Sequence, residues 1–376
     1  MRIKSIRCIV FTLMMLSALT AMGEDCGPLP KPPARTSNAE IKIVKSFARP
    51  VLNIRSQGAQ GVLGGFEGGT VVKANNHFHL FTTEMMRSWD SGFAFDKTRL
   101  ADWVSEDGIH WHRVGTIFRS TGDHTGKDPR AALWAPMPIY DRTNGEWDLF
   151  YVAYRSKSNV PPAWYENYDG KLIRAVSQVK GRWGIDGPYR DAGVIMRPGP
   201  GSDKWEGLQG DDSIYPYRAY GRWFTFYGSA DTENGPHSWQ VGLASAPELS
   251  GPWERCSSLN PVPLGQFIEN PIVAKIDGEY IAVYDDLNPE QGQSIGYVAS
   301  VDGIHWGPTR QLVIFPQNEA QPRTPLALIA NADGTFDLYV TALSNVTDSE
   351  GRKIGLAEAL YLFKVRVSIG AGNPSK

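Results

Sequence analysis

Short apolar runs alternate with turn residues along most of the chain from about residue 40. Each repeating unit begins with a polar or acidic residue, continues through a β-branched run to a Gly, Asn or Asp turn, and ends in an aromatic-rich run. Turns such as Asp277-Gly278 between two runs of this kind are typical of β-hairpins. The pattern predicts hairpins whose first strands are 66–72, 133–136, 210–215, 268–273 and 321–326 and whose second strands are 78–81, 147–151, 223–227, 280–284 and 336–340.

Two more strands are expected after each hairpin. Residues 105–111 read Ser-Glu-Asp-Gly-Ile-His-Trp, and residues 300–306 repeat this as Ser-Val-Asp-Gly-Ile-His-Trp. These segments resemble the Asp-box turns of sialidases, in which the Asp and Trp hold a hairpin together. Units of about four strands repeated around an axis are typical of propellers. We therefore expect an all-β fold: a single five-bladed β-propeller over residues 40–370, with four-stranded antiparallel blades around a central channel.

Composition agrees with a turn-rich β fold and excludes some partners. The chain has 39 Gly, 26 Pro and 12 Trp among 376 residues, a balance that favours turns and aromatic surfaces over helical bundles. Its 38 Lys and Arg against 40 Asp and Glu give a formal charge of −2. A charge this small provides no electrostatic attraction to nucleic acid or to an anionic membrane. Neither is expected as a partner.

The N-terminus has the pattern of a secretory signal. Residues 1–23 combine a basic start, an apolar run over 8–19 and small residues at Ala21-Met22-Gly23, where cleavage is expected. Residues 24–39 follow as a Pro-rich linker. No later stretch approaches 18 apolar residues, so no membrane span is expected. The predicted location is secreted or periplasmic.

Two cysteines, Cys26 and Cys256, remain after removal of the signal. In an oxidising compartment they can pair and tie the N-terminal tail to the body. The alternative is two unrelated thiols, and the sequence leaves both open.

Carboxylates stand at the start of three predicted blades. These are Glu67 in the first blade, Asp211 with Asp212 in the third, and Glu269 in the fourth. The innermost strands of a propeller line one channel, so these side chains would face a common space. Mutual repulsion there raises pKa values, and a protonated acid beside an ionised base is what glycoside hydrolysis needs. The alternative is that each carboxylate caps backbone amides at a strand start.

The same blade starts resemble those of glycoside hydrolase family 43 and related propeller glycosidases. The motifs are Trp134-Ala135-Pro136, Asp211-Asp212-Ser213 and Glu269-Asn270-Pro271. The resemblance implies a general acid at Glu269, a residue that adjusts its pKa at Asp211, a base in the first blade at Glu67, and inversion at the anomeric carbon. The chain departs from the family pattern in offering Glu67 where an Asp is usual.

Several other residues are candidates for substrate binding. Trp134 can stack on a sugar ring or belong to the core, and Asp212 accompanies Asp211. Arg323, at the start of the last blade, can bind a substrate carboxylate or sulfate or can neutralise the acidic cluster. Arg130, in the segment Asp128-Pro129-Arg130, can reach the site or can form a surface ion pair in a loop. Loop aromatics are expected as substrate walls: Trp89, Trp164 and Tyr165.

No cofactor is required for this chemistry, and no metal is expected in the catalytic site. Asp285-Asp286 at a strand end can bind a structural Ca²⁺ or can form a solvated turn. His77 and His79 lie two residues apart on one face of a hairpin. They are interpreted as solvent-facing strand residues, with a metal pair as the alternative.

The favoured function is an exported glycoside hydrolase acting on plant or algal poly- or oligosaccharides. A polysaccharide lyase that uses Tyr165 and Arg323, or a phosphorylase, is one alternative. A non-catalytic carbohydrate-binding propeller is the other. Nothing in the sequence indicates an oligomeric state.

Overall fold

The structure is a computed structural model that describes residues 26–370 except 28, 90–96, 158–166, 232–238, 266–267, 287–293, 317–319, 348–349 and 351. The predicted signal peptide, Trp164 and Tyr165 lie outside the described residues. Within these residues, no helix has the length and apolar character needed to cross a bilayer.

The described chain is built from β-strands, with one short 3₁₀ helix at Arg182–Asp186. The strands are β1 Asn38–Ser46, β2 Gly65–Ala74, β3 His77–Met85, β4 Thr98–Ser105, β5 His112–Arg119, β6 Ala132–Asp141, β7 Glu146–Ser156, β8 Asn167–Ser177, β9 Tyr189–Met196, β10 Asp212–Ile214, β11 Tyr217–Ala219, β12 Arg222–Ala230, β13 Trp239–Ala246, β14 Glu254–Arg255, β15 Ile268–Ile276, β16 Glu279–Asp286, β17 Ser294–Ser300, β18 Arg310–Val313, β19 Ala320–Ala330, β20 Phe336–Thr347 and β21 Lys353–Gly370.

Antiparallel pairing gathers these strands into four-stranded units. Strands β6 to β9 form one sheet, β10-β12-β13-β14 with β11 beside β12 form another, and β15 to β18 form a third. An eight-stranded sheet contains β2 to β5 and β19-β20-β21-β1. Among the described residues, the strand pairing between these two halves is limited to the parallel pair Gly65 and Glu358. The chain is thus an all-β protein of multiple four-stranded antiparallel sheets, consistent with the predicted propeller.

Apolar side chains fill the space between one four-stranded unit and the next. One cluster, for example, packs Phe81 and Leu100 from β3 and β4 against Leu149 and Tyr151 from β7. The other clusters join the remaining neighbours along the chain, and one of them packs β19 to β21 against β2 to β4. The first strands of the units, β2, β6, β10, β15 and β19, contact one another in succession, and β19 also contacts β2. Their neighbouring positions bring side chains from all five strands towards one another.

Both Asp-box segments are structural turns, as the sequence predicts. In the first, Asp107 Oδ1 accepts hydrogen bonds from the backbone N–H groups of Ile109 and His110, each at 2.8 Å. In the second, Asp302 Oδ1 accepts from the equivalent amides at 2.9 and 2.8 Å. Each carboxylate thus satisfies backbone donors that the turn leaves unpaired.

The N-terminal segment is attached to the body at two places. Cys26 and Cys256 form a disulfide across 230 residues of sequence, which resolves the question left open above. Strand β1 pairs with β21 from Asn38 opposite Gly370 to Ser46 opposite Phe363. The unit that carries Arg323 is therefore completed by the beginning of the chain.

Candidate active site

A β-bulge interrupts each of the first strands at an equivalent point. The pairing register breaks at Glu67/Gly69, Trp134/Met137, Asp212/Ile214, Glu269/Ile272 and Pro322/Pro325. In four of these strands, the residue that follows the first residue of the break has a positive φ: Gly68 at 64°, Ala135 at 51°, Ser213 at 36° and Asn270 at 49°. A bulge bends the strand and re-aims the adjacent side chain, and positive φ at a non-glycine residue stores strain that occurs mainly at functional sites.

The re-aimed side chains converge on one pocket of about 610 Å³. Each of the five first strands contributes one of them: Glu67, Trp134, Asp212, Glu269 and Arg323. Further lining residues come from the neighbouring strands and loops: Tyr154, Asn167, Gln209 and Trp239. The structure thus brings together two of the three predicted catalytic carboxylates, Glu67 and Glu269.

Arg323 is the centre of the charge network in this pocket. Its Nη2 donates a hydrogen bond to Glu67 Oε1 at 2.7 Å and lies 3.9 Å from Glu269 Oε2. Behind it, Nη1 is 3.9 Å from Asp285 Oδ2, and Nε is 3.4 Å from Glu358 Oε1. Burial lowers the pKa of Arg323, but the four carboxylates outweigh burial and raise it well above its ordinary value. Of the two interpretations of Arg323, the structure favours neutralisation of the acidic cluster.

The pocket raises the pKa of Glu269 above its ordinary value. Burial, followed by repulsion from Glu67 and Asp212, raises the Glu269 pKa to about 8, against the attraction of Arg323. Burial also raises the pKa of Asp212, to about 6, while hydrogen bonds from Tyr154 and Ser213 oppose the rise. Because these two pKa values differ, one carboxyl group holds a proton at pH 7 while the other is mostly ionised.

Asp211 does not face the pocket, contrary to expectation. Its two carboxylate oxygens accept hydrogen bonds from Arg255 Nη2 at 2.8 and 2.9 Å, and Arg255 also pairs with Glu206. Neighbouring residues of a strand point to opposite faces, so a shift of one residue exchanges the two acids. Asp212 is the acid that the bulge directs to Glu67 and Glu269.

Arg130 also lies away from the pocket. Its Nη1 donates hydrogen bonds to Tyr151 Oη at 2.7 Å and to Asp191 Oδ2 at 2.9 Å, and Asp128 accepts a hydrogen bond from its backbone N–H. The guanidinium also lies over the rings of Phe118 and Tyr151. The loop ion pair, the alternative interpretation of this segment, is what the structure contains.

Two more interpretations change with the structure. Asp285 is 1% exposed and lies beside Arg323, so the solvated-turn interpretation of Asp285-Asp286 is wrong for it. His79 is 4% exposed, so it does not face solvent as interpreted.

Trp134 satisfies both interpretations: it lines the pocket and packs in the core. Trp89 donates a hydrogen bond through Nε1 to Gly64 O at 3.0 Å and is not among the residues that line the pocket.

Sequence reasoning missed the acids behind Arg323. Glu358 is the one charged residue in the run Leu356-Ala357-Glu358-Ala359-Leu360, and Asp285 ends the apolar run of β16. A carboxylate inside an apolar strand is rare unless it is paired. A single acid in an apolar strand is therefore the sequence pattern that could have revealed Glu358 and Asp285, and it indicates a buried cationic partner. Tyr154 and Gln209, which line the pocket, carried no comparable signal.

Three solved structures that this chain resembles in fold are glycoside hydrolases. A family 117 glycoside hydrolase of the marine bacterium Zobellia galactanivorans matches with a TM-score of 0.55 and 14% identity, covering 88% of this chain and 91% of that one. A thermostable family-43 glycoside hydrolase matches with a TM-score of 0.52 and 16% identity, covering 85% and 98%. The exo-β-1,3-galactanase 1,3Gal43A of Clostridium thermocellum matches with a TM-score of 0.50 and 14% identity, covering 86% of this chain and 62% of that one.

These likenesses confirm the resemblance to the family 43 type of fold that the blade-start motifs indicated. At 14–16% identity they establish a shared fold. No protein-family profile and no curated protein matches the sequence.

We expect Arg323→Met to destabilise the protein in a pH-dependent way. Removing the guanidinium leaves buried carboxylates without a counter-charge, a loss of about 3–5 kcal/mol. The folded variant must then hold these carboxyls protonated while the unfolded chain does not, so its stability falls as pH rises. Urea unfolding should therefore show a larger deficit at pH 8 than at pH 5. Arg130→Met, which removes a loop ion pair, is the control and should cost less than about 1 kcal/mol at both pH values. An equal deficit for Arg323→Met at pH 5 and pH 8 would contradict the network.

Proposed function

We propose that the protein is an exported glycoside hydrolase whose sheets form a closed five-bladed propeller with the catalytic pocket at its centre. The contacts of the first strands in succession, with β19 against β2, support closure. The Cys26–Cys256 disulfide supports export, since disulfides persist in oxidising compartments. The structural neighbours, which are glycoside hydrolases, support the activity.

The observation that carries the proposal is the convergence of Glu269 and Glu67 on one pocket around Arg323, where burial raises the pKa of Glu269. We assign Glu269 as the general acid, because its pKa of about 8 keeps a proton available at neutral pH. Glu67, whose negative charge is stabilised by Arg323, is assigned as the base that takes a proton from the attacking water. Asp212 takes the role that the sequence gave to Asp211: its negative charge holds the Glu269 pKa up.

The hydrolytic reaction follows from these roles. Glu269 donates its proton to the glycosidic oxygen as the bond to the anomeric carbon breaks. A water molecule on the opposite face of the sugar attacks that carbon and gives a proton to Glu67. Trp134 lines the same pocket and offers an apolar face to the sugar ring.

The charge around Arg323 favours a hydrolase over a lyase. A lyase needs a cation to neutralise the uronate of its substrate, and Arg323 was the candidate. In the structure its guanidinium already has four carboxylates within 3.9 Å. The guanidinium is thus already paired with acids of the chain itself, which disfavours a role in neutralising a substrate uronate.

Product analysis tests the reaction and its stereochemistry together. The oxygens of Glu67 and Glu269 lie 2.7 and 3.9 Å from the same nitrogen, so their separation cannot exceed the sum of these distances. That upper limit only reaches the lower end of the roughly 6.5–9.5 Å range of inverting enzymes and includes the roughly 5–5.5 Å of retaining enzymes, so the expectation of inversion rests on the family resemblance. In a screen of plant and algal oligosaccharides we expect a new reducing end, formed with inverted configuration in early proton NMR spectra. Retention would replace water attack by a covalent intermediate, an unsaturated uronate would indicate a lyase, and absence of products would indicate a binding protein.

Amide variants distinguish the acid from the base. Glu269→Gln should be nearly inactive on a natural glycoside but keep most of its rate on an activated aryl glycoside, because that leaving group departs without a proton. Glu67→Gln should lose about 10²–10⁴-fold on both substrates, since water must be activated in either case. Steady-state kcat on the two substrates measures this. If Glu67→Gln is instead the variant rescued by the activated substrate, the two roles are exchanged.

The pH dependence of kcat/KM tests whether Asp212 or Asp211 raises the pKa of Glu269. In the native protein kcat/KM should decline above about pH 8, where Glu269 loses its proton. Asp212→Asn removes a negative charge that raises the Glu269 pKa, so the alkaline limb should move to lower pH. The matched control Asp211→Asn alters a carboxylate bound to Arg255 and should leave the limb in place. A shift in the control but not in Asp212→Asn would return the role to Asp211.

A further inference from the structure

Three potential metal ligands meet where strands β2 to β5 pack against the β6 to β9 sheet, outside the catalytic pocket. His79 lies on β3 and Asp102 on β4, and they share one face because His79 pairs with Val104, two residues after Asp102. Asp186, the last residue of the 3₁₀ helix between β8 and β9, reaches the same point from the neighbouring sheet. His79 Nδ1 is 3.5 Å from Asp102 Oδ1 and 3.4 Å from Asp186 Oδ1.

The atoms of His79 and Asp102 that face each other in this cluster lack hydrogen-bond partners. Asp102 is 2% exposed and His79 is 4% exposed. Among the described residues, Asp102 Oδ1, Asp102 Oδ2 and His79 Nδ1 have no hydrogen-bond partner. The separations of 3.4 and 3.5 Å exceed the usual 2.7–3.2 Å of an N–H···O bond. Buried polar groups without partners are costly, so this arrangement indicates a ligand between them.

The two separations from His79 match those of ligands around a tetrahedral zinc ion. Zinc binds imidazole nitrogen and carboxylate oxygen at about 2.0–2.2 Å, and two tetrahedral ligands at about 2.1 Å are about 3.4 Å apart. All three ligand atoms lie within 4.8 Å of one another. Ca²⁺ and Mg²⁺ prefer oxygen-only sets, whereas a mixed nitrogen and oxygen set suits zinc.

We propose that His79, Asp102 and Asp186 bind a zinc ion that links strands β3 and β4 to the 3₁₀ helix of the neighbouring β6 to β9 sheet. The two carboxylates balance the charge of the cation. His79 and Asp186 also line a cavity of about 670 Å³ with His77, Glu106 and His112, and water from this cavity completes the coordination. None of the three ligands lines the catalytic pocket, so the zinc acts on stability and this proposal does not depend on the proposed reaction.

Metal content and thermal stability of the untagged full chain test the site. After chelator treatment, dialysis and reloading with Zn²⁺, the native protein should hold one equivalent by elemental analysis, and its Tm should rise on loading. Co²⁺ in place of zinc should give the intense visible absorption of a tetrahedral centre. Ca²⁺ should leave the Tm unchanged.

Two variants and a control complete the experiment. Asp186 is half-exposed, so Asp186→Asn should fold, yet it should lose the metal and the Tm rise. Glu106→Gln removes a charge from the same cavity without removing a ligand and should behave as the native protein. Asp102→Asn should lower the Tm of zinc-loaded protein. In the absence of a metal site it would instead raise the Tm, because it replaces an unpaired buried carboxylate.

The proposal fails on any of several results. These are substoichiometric zinc in the native chain, full zinc retention in Asp186→Asn, zinc loss in Glu106→Gln, or an octahedral cobalt spectrum. A Tm rise with Asp102→Asn in zinc-loaded protein would show that the three residues form a strained ion cluster instead.

Discussion

A single buried guanidinium holds the centre of this molecule together. Arg323 lies among four carboxylates from three separate four-stranded units, and each of these acids would repel the others without it. Because the interior has a low effective dielectric, both the repulsion and its compensation are much stronger than at a surface. The pocket can therefore contain several acids close together only because one cation is fixed among them.

This arrangement connects folding with acid–base chemistry. The charged groups of the centre also influence which carboxyl group carries a proton: the pKa of Glu269 is raised by burial and by Glu67 and Asp212, while Arg323 opposes the rise. A cation nearer to Glu269 would lower its pKa and remove the proton that an acid catalyst needs. The 2.7 Å contact to Glu67 and the longer 3.9 Å distance to Glu269 make the same guanidinium act unequally on the two acids.

The sequence predicted the strand pattern, the repeated units and the convergence of Glu67 with Glu269, because hydrophobic alternation and turn residues are local signals. It failed at Asp211 and Asp212, since the side-chain direction depends on a bulge one residue wide and adjacent acids look alike in the chain. The interpretation of His79 as solvent-facing failed for a different reason. Its burial depends on the 3₁₀ helix that ends at Asp186, more than 100 residues away, and hairpin periodicity contains no information about such a neighbour.

Strand β1 has a consequence for how the protein is made. The unit that carries Arg323 needs β1 from the beginning of the chain and β21 from its end, so it cannot close while the ribosome still holds residues 353–370. Until then the unit that holds Arg323 between Glu67 and Glu269 is incomplete. If the protein is exported through a membrane and hydrolyses glycosides as proposed, this unit closes only after β21 has crossed, and the reaction is then confined to the far side.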